Sequence, residues 1–123
     1  MGKVAVPAEG PDLSSRVSRH LGRAPYFIIF DPEGEGWEAV SNPASTEARG
    51  AGIRAAAFLV NRGVEMVVAD HCGPKAFSVF QAAGVKVARA ARETVAEVKE
   101  ELKEGPPELL EAPSRKDTGR GGR

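Results

Sequence analysis

Apolar residues fall into short runs separated by turn-forming residues, and these runs predict the strands of a sheet. The run 26–30 is continuous and is bounded by Pro25 and Asp31, which is typical of a buried strand rather than of an amphipathic helix. The turn-rich stretch 31–36 separates the second run from the third, so these two should form a hairpin. The predicted strands are residues 3–6, 26–30, 37–40, 64–69 and 85–88.

The segments between the strands have the composition and boundary residues of helices. Pro74 suits the first turn of a helix, because its missing N–H would have no partner there. Thr94 and Glu97 have the spacing of a capping box at a helix start. The predicted helices are residues 52–62, 74–83 and 94–104, with a shorter one over 12–20 that Asp12 would cap.

This order of elements predicts an α/β fold with a five-stranded mixed sheet. The tight turn and the two βα returns together make strand 26–30 antiparallel to strand 3–6. Right-handed crossovers favour strand 64–69 as the other neighbour of strand 3–6. The long connections then gather at the carboxyl ends of the parallel strands. Open α/β sheets bind ligands at that edge, so we expect a site there.

Composition narrows the class of protein further. The chain has 123 residues and a formal net charge of zero, which predicts one domain with no attraction for nucleic acid or membranes. It has one cysteine and no signal-like apolar segment, so the expected compartment is the cytoplasm. We expect a single domain over residues 1–111 and a disordered basic tail over 112–123, where four Lys or Arg face one Asp.

The residues with the most distinctive chemistry all fall in the long connections. Both histidines and the only cysteine are among them, and so is the Gly-rich segment before helix 52–62, whose free N–H groups could bind an anion. Each also has an ordinary explanation: a buried small side chain, an exposed imidazole, a helix end or a tight turn. The candidate binding residues are His20, Arg49, Gly50, Gly52, His71 and Gly73, with Cys72 and His20 as metal ligands.

Cys72 allows a second interpretation, in which the protein is an enzyme. The helix that follows Cys72 would stabilise its thiolate, and His20 or His71 could act as the base. The sequence contains none of the usual nucleotide-binding, hydrolase or zinc-protease motifs, and no second cysteine for a CxxC pair. A third interpretation is a protein-interaction module that uses the acidic helix 94–104 and the basic tail.

An ordered set of short motifs resembles the dinitrogenase iron–molybdenum cofactor biosynthesis family, which contains nitrogenase accessory factors. The resemblance covers roughly residues 3–100. It implies a ribonuclease H-like three-layer α/β/α fold with strand order 3-2-1-4-5 and an antiparallel second strand. The matching motifs are His20-Leu21-Gly22, Arg23-Ala24-Pro25, Asn42-Pro43, Gly50-Ala51-Gly52, Gly73-Pro74-Lys75 and Ala83-Gly84-Val85.

The resemblance also implies a function, namely non-catalytic binding or carriage of an iron–sulfur or iron–molybdenum cofactor precursor. His20 matches the histidine of the family, whereas Arg49 stands where many members have another histidine, and Cys72 is not a general family position. The implied partners are the metal cluster cargo and the proteins that donate or accept it. Because one cysteine should hold a cluster weakly, we expect a monomer or a weak homodimer that shares it.

Overall fold

A mixed five-stranded sheet forms the centre of the protein, as seen in a computed structural model that describes residues 2–114. The strands are β1 (Val4–Ala8), β2 (Tyr26–Phe30), β3 (Trp37–Ser41), β4 (Met66–Ala69) and β5 (Lys86–Arg89). The helices are α1 (Ala51–Asn61), α2 (Pro74–Ala82) and α3 (Val95–Glu104), and a 3₁₀ turn covers Leu21–Arg23.

The strand order is β3-β2-β1-β4-β5, which confirms the predicted topology. β1 pairs antiparallel with β2 and parallel with β4, so that Ala5 lies opposite Ile29 on one side and Val67 on the other. The central strand β1 is buried along its whole length. This explains why its sequence is continuously apolar rather than alternating.

Helices cover both faces of the sheet and complete three layers. Because successive side chains of a strand point to opposite faces, Ala5 joins the core beneath α1 and α2, whereas Val4 and Val6 join the core beneath α3. The predicted capping box at the start of α3 is present, with Thr94 and Glu97 bonding each other's backbone N–H groups. No helix within residues 2–114 is long and apolar enough to cross a membrane.

The predicted helix over residues 12–20 is wrong. The hydroxyl of Ser14 donates to the carboxylate of Asp12, which holds a local turn in place of the predicted cap. Beyond this turn the backbone N–H of Val17 donates to the carbonyl of Glu93, and Val17 also forms an antiparallel bridge with Ala8. Backbone partners from distant segments therefore replace the hydrogen bonds that a helix would have formed.

The predicted basic tail begins at residue 112, and only its first residues are described. Pro113 and Ser114 lie beside α2, and Ser114 bonds the backbone of Cys72. The rest of the predicted tail, residues 115–123, lies outside the described residues.

Candidate functional site

Three loops at the carboxyl edge of the parallel strands enclose a cavity of about 970 Å³. One loop follows β1, one precedes α1 and one follows β4. Five of the predicted binding residues line this cavity: His20, Gly50, Gly52, His71 and Gly73. The fold thus brings together residues from distant parts of the sequence, and we call this the histidine cavity.

The two histidines of the chain face each other in the histidine cavity. The ring centroids of His20 and His71 lie 5.8 Å apart in an edge-to-face arrangement. His20 is exposed and its carbonyl accepts the N–H of Arg23, which closes the 3₁₀ turn. His71 lies in the loop after β4 and is half-buried. The pair offers imidazole nitrogens, which suit iron and other transition metals, to one ligand.

Two helix N-termini open into the same cavity. α1 begins after Gly50, whose φ of 70° is in the left-handed region that favours glycine. α2 begins after Gly73 with Pro74 in its first turn. No described side chain caps either helix, so N–H groups of both first turns are available to a ligand. Aligned peptide dipoles make such ends favourable for anions.

The charged side chains of the cavity also favour an anion. Arg23 and Lys75 line it, and none of its described lining residues is acidic. The guanidinium of Arg23 donates to the backbone carbonyls of Ser45 and Glu47, which ties it to the loop that follows β3. The cavity therefore combines fixed positive charge, free N–H donors and imidazole nitrogens.

Cys72 does not line the cavity, and the prediction of an activated thiolate is wrong. Its side chain is 1% exposed and packs into the core beneath α1 and α2, near Ala76 and Phe77. The thiol donates a weak hydrogen bond to the carbonyl of Gly73, with 3.9 Å between sulfur and oxygen. Burial raises the pKa of the Cys72 thiol to about 11, because desolvation disfavours the charged thiolate.

The other predicted site residue outside the lining is Arg49. It is exposed and precedes Gly50, but it is not among the residues that form the wall of the cavity. Within residues 2–114, no group of three or more His, Cys, Asp or Glu side chains is arranged to hold a metal ion. The groups that the described residues offer to a ligand are thus the two imidazoles and the N–H groups of two helix N-termini.

Asn42 holds two loops of the site together through hydrogen bonds. It was not identified as a site residue from the sequence. Its buried side-chain amide donates to the carbonyls of Gly22 (3.2 Å) and Ala24 (2.8 Å), and its oxygen accepts the N–H of Ala44 at 2.9 Å. It therefore fastens the loop that carries His20 to the loop that follows β3. A buried amide with several backbone partners is a strong local restraint.

Gly22 is required where the His20 loop crosses the start of α1. A Cβ at Gly22 would lie 2.6 Å from the backbone nitrogen of Gly52 and 2.8 Å from the carbonyl carbon of Ala51. Only glycine lets the two backbones approach this closely. The close approach sets the distance between His20 and the free N–H groups of α1.

A second cavity, of about 670 Å³, lies at the opposite edge of the sheet. It is formed by the first residues of β1, β4 and β5 together with the end of α3 and the 31–36 turn. Its described lining includes Val4, Met66 and Leu102 but neither of the histidines nor the cysteine. Both histidines therefore lie at the histidine cavity and not at this second one.

The family follows from the sequence as a whole. Residues 2–105 match the profile of the family described as dinitrogenase iron–molybdenum cofactor. The chain belongs to this family. It is also 31% identical, over 112 residues, to an uncharacterized protein of Methanocaldococcus jannaschii; the match covers 89% of this chain and 92% of that protein.

Solved structures share the fold over nearly the whole chain. The apo form of the orange protein from Desulfovibrio gigas superposes with a TM-score of 0.86 and is 36% identical, covering 94% of this chain and 98% of that one. A NifB-like protein of the DUF35 family from Thermotoga has a TM-score of 0.80 and 42% identity. The match covers 95% of this chain and 100% of that one. These likenesses confirm the resemblance inferred from the short motifs.

Proposed function

We propose that this protein binds and hands on an anionic iron–sulfur or iron–molybdenum cofactor precursor, which it holds in the histidine cavity without catalysing a reaction. The observation that carries this proposal is the convergence of two uncapped helix N-termini on the His20–His71 pair. Family membership supports the choice of cargo, because the family is described by the iron–molybdenum cofactor.

The donor set suits a cargo that brings its own sulfide or oxide ligands. Backbone N–H groups, Arg23 and Lys75 can neutralise and hydrogen-bond the outer atoms of an anionic cluster. His20 and His71 can bond to its metal, and in this proposal Cys72 is a core residue rather than a ligand. Few direct metal bonds suit a carrier, since the cargo must leave again.

Reaction chemistry at Cys72 has little support. The thiolate is the reactive form of cysteine, and a pKa of about 11 keeps almost all of the thiol protonated near neutral pH. The side chain also points into the core and is 1% exposed. The proposed carrier role assigns the cavity to binding alone, with cluster donor and acceptor proteins as partners in the cytoplasm.

The proposal can be tested by anaerobic reconstitution with iron, sulfide and molybdate, followed by desalting and metal analysis. The wild type should retain iron, and His20→Ala and His71→Ala should each retain several-fold less while keeping the circular dichroism spectrum of the wild type. Cys72→Ala should retain as much as the wild type. Retention by the wild type no greater than that of an unrelated protein would rule out the carrier role.

A further inference from the structure

After α3 the chain turns back and runs along the outer edge of β5. The N–H of Arg89 donates to the carbonyl of Glu108 at 3.0 Å, and the N–H of Leu110 donates to the carbonyl of Val87 at 2.8 Å. Leu109 forms an antiparallel bridge with Ala88 between them. We call residues 108–114 the C-terminal strap.

The strap ends on the loop that carries His71. The N–H of Ser114 donates to the carbonyl of Cys72 at 2.8 Å, and the N–H of Cys72 donates to the hydroxyl of Ser114 at 3.1 Å. Both backbone polar groups of Cys72 are therefore bonded to one residue of the strap. Pro113 and Ser114 also line the histidine cavity.

Cys72 is the middle residue of the turn from His71 to Gly73. This turn carries one histidine of the pair and leads into the uncapped N-terminus of α2. Because Cys72 is 1% exposed, water has little access to replace a lost partner of its N–H. A buried donor without a partner is costly, so the position of the turn depends on the docked strap.

We propose that the C-terminal strap positions the His71–Gly73 turn for cargo binding, and that bound cargo in turn holds the strap in place. Ser114 is the positioning residue, acting through the backbone of Cys72. The inference rests on the proposed function. The coupling must act in both directions, because any interaction that favours the docked strap and the loaded cavity together raises the occupancy of each.

Three variants separate this role from a simple structural one. Ser114→Ala removes the hydroxyl that accepts the N–H of Cys72, and Ser114→Thr keeps a hydroxyl. Ser14→Ala is the matched control, because the Ser14 hydroxyl bonds only the carboxylate of Asp12 among the contacts described and does not line the cavity. All are made in the full chain.

The variants are loaded anaerobically with iron, sulfide and molybdate, and two quantities are measured. These are the rate at which metal passes to a chelator and the hydrogen exchange of the Cys72 amide. Ser114→Ala should release metal roughly three- to tenfold faster, the equivalent of losing most of one hydrogen bond, and exchange this amide faster. Ser114→Thr and Ser14→Ala should match the wild type. In the wild type, loading should slow exchange at Cys72.

The outcomes distinguish this inference from the proposed function. If the wild type retains no metal, the carrier role is wrong and the inference falls with it. If the wild type retains metal and Ser114→Ala releases it at the same rate, only the inference is wrong. Faster release with unchanged exchange at Cys72 would mean that the hydroxyl contacts the cargo directly, which also overturns the positioning role.

Discussion

The imidazole rings of His20 and His71 lie edge to face, 5.8 Å apart, although they belong to loops that follow different strands. The parallel pairing of β1 with β4 brings these loops to the same edge of the sheet. The backbone of each loop is held by a separate restraint, the Asn42 amide on the His20 side and the C-terminal strap on the His71 side.

Asn42→Ala should destabilise the protein by about 2–4 kcal/mol, because it leaves several buried backbone groups without partners. Urea unfolding followed by circular dichroism measures the change. Asn61→Ala is the matched control, since Asn61 is exposed at the end of α1. Equal stability of the two variants would contradict the role of the Asn42 amide as a clamp.

Gly22→Ala should displace the His20 loop from the start of α1, because the added methyl group meets the backbone of Gly52. The expected loss of stability is about 1–3 kcal/mol, and metal retention should fall as well. Gly36→Ala provides the control, since a Cβ there meets nothing within 4 Å among the described residues. The prediction fails if both variants melt at the wild-type temperature and retain equal metal.

Lys75→Ala should weaken cargo retention roughly two- to fivefold at low ionic strength, which is the usual contribution of one exposed charge. The difference from the wild type should shrink as salt is added, because salt screens the interaction. Lys86→Ala at the opposite edge of the sheet is the control. A loss that is independent of salt would mean that Lys75 acts through packing rather than charge.

Cys72 should react slowly with iodoacetamide near neutral pH in the folded protein and at the ordinary rate in urea. Burial raises its pKa from 9.0 to about 11, so little thiolate is present below pH 9. Mass spectrometry of timed samples measures the rate. Rapid labelling of the folded protein at pH 7 would show instead an accessible, activated thiolate.

The raised pKa of the Cys72 thiol also predicts how the stability of the protein depends on pH. Well below pH 9 the thiol is protonated in both the folded and the unfolded chain, so it adds no pH dependence there. Between pH 9 and about 11 the unfolded chain loses this proton while the folded chain keeps it, so stability should fall as pH rises. In Cys72→Ala the decline over this range should be shallower, as urea unfolding at several pH values would reveal.

The sequence alone determined the strands, the helices and their order. Continuous apolar runs such as 26–30 can only be buried, and the Thr94–Glu97 capping box forms between residues close in sequence. The strand directions and the handedness of crossovers then place β1 between β2 and β4. For the same reason it was predictable that His20 and His71 would share one edge of the sheet.

Tertiary structure alone decided the conformation of the segments whose hydrogen-bond partners lie far away in the chain. The predicted helix over 12–20 gave way to backbone bonds with Glu93 and an antiparallel bridge to Ala8, which no local pattern reveals. Asn42 and Gly22 carry a weak signal in the short motifs, but their roles depend on carbonyls and a backbone nitrogen from other loops.

Cys72 shows most clearly the difference between what the sequence determines and what only the tertiary structure decides. Its position between a strand and a helix is evident from the sequence and suggests an activated thiolate at the site. The direction of its side chain is set by the turn between β4 and α2, which points the sulfur into the core and leaves His71 and Gly73 at the cavity. Desolvation in that core raises the thiol pKa, and a sequence cannot show desolvation because it depends on which distant atoms exclude water.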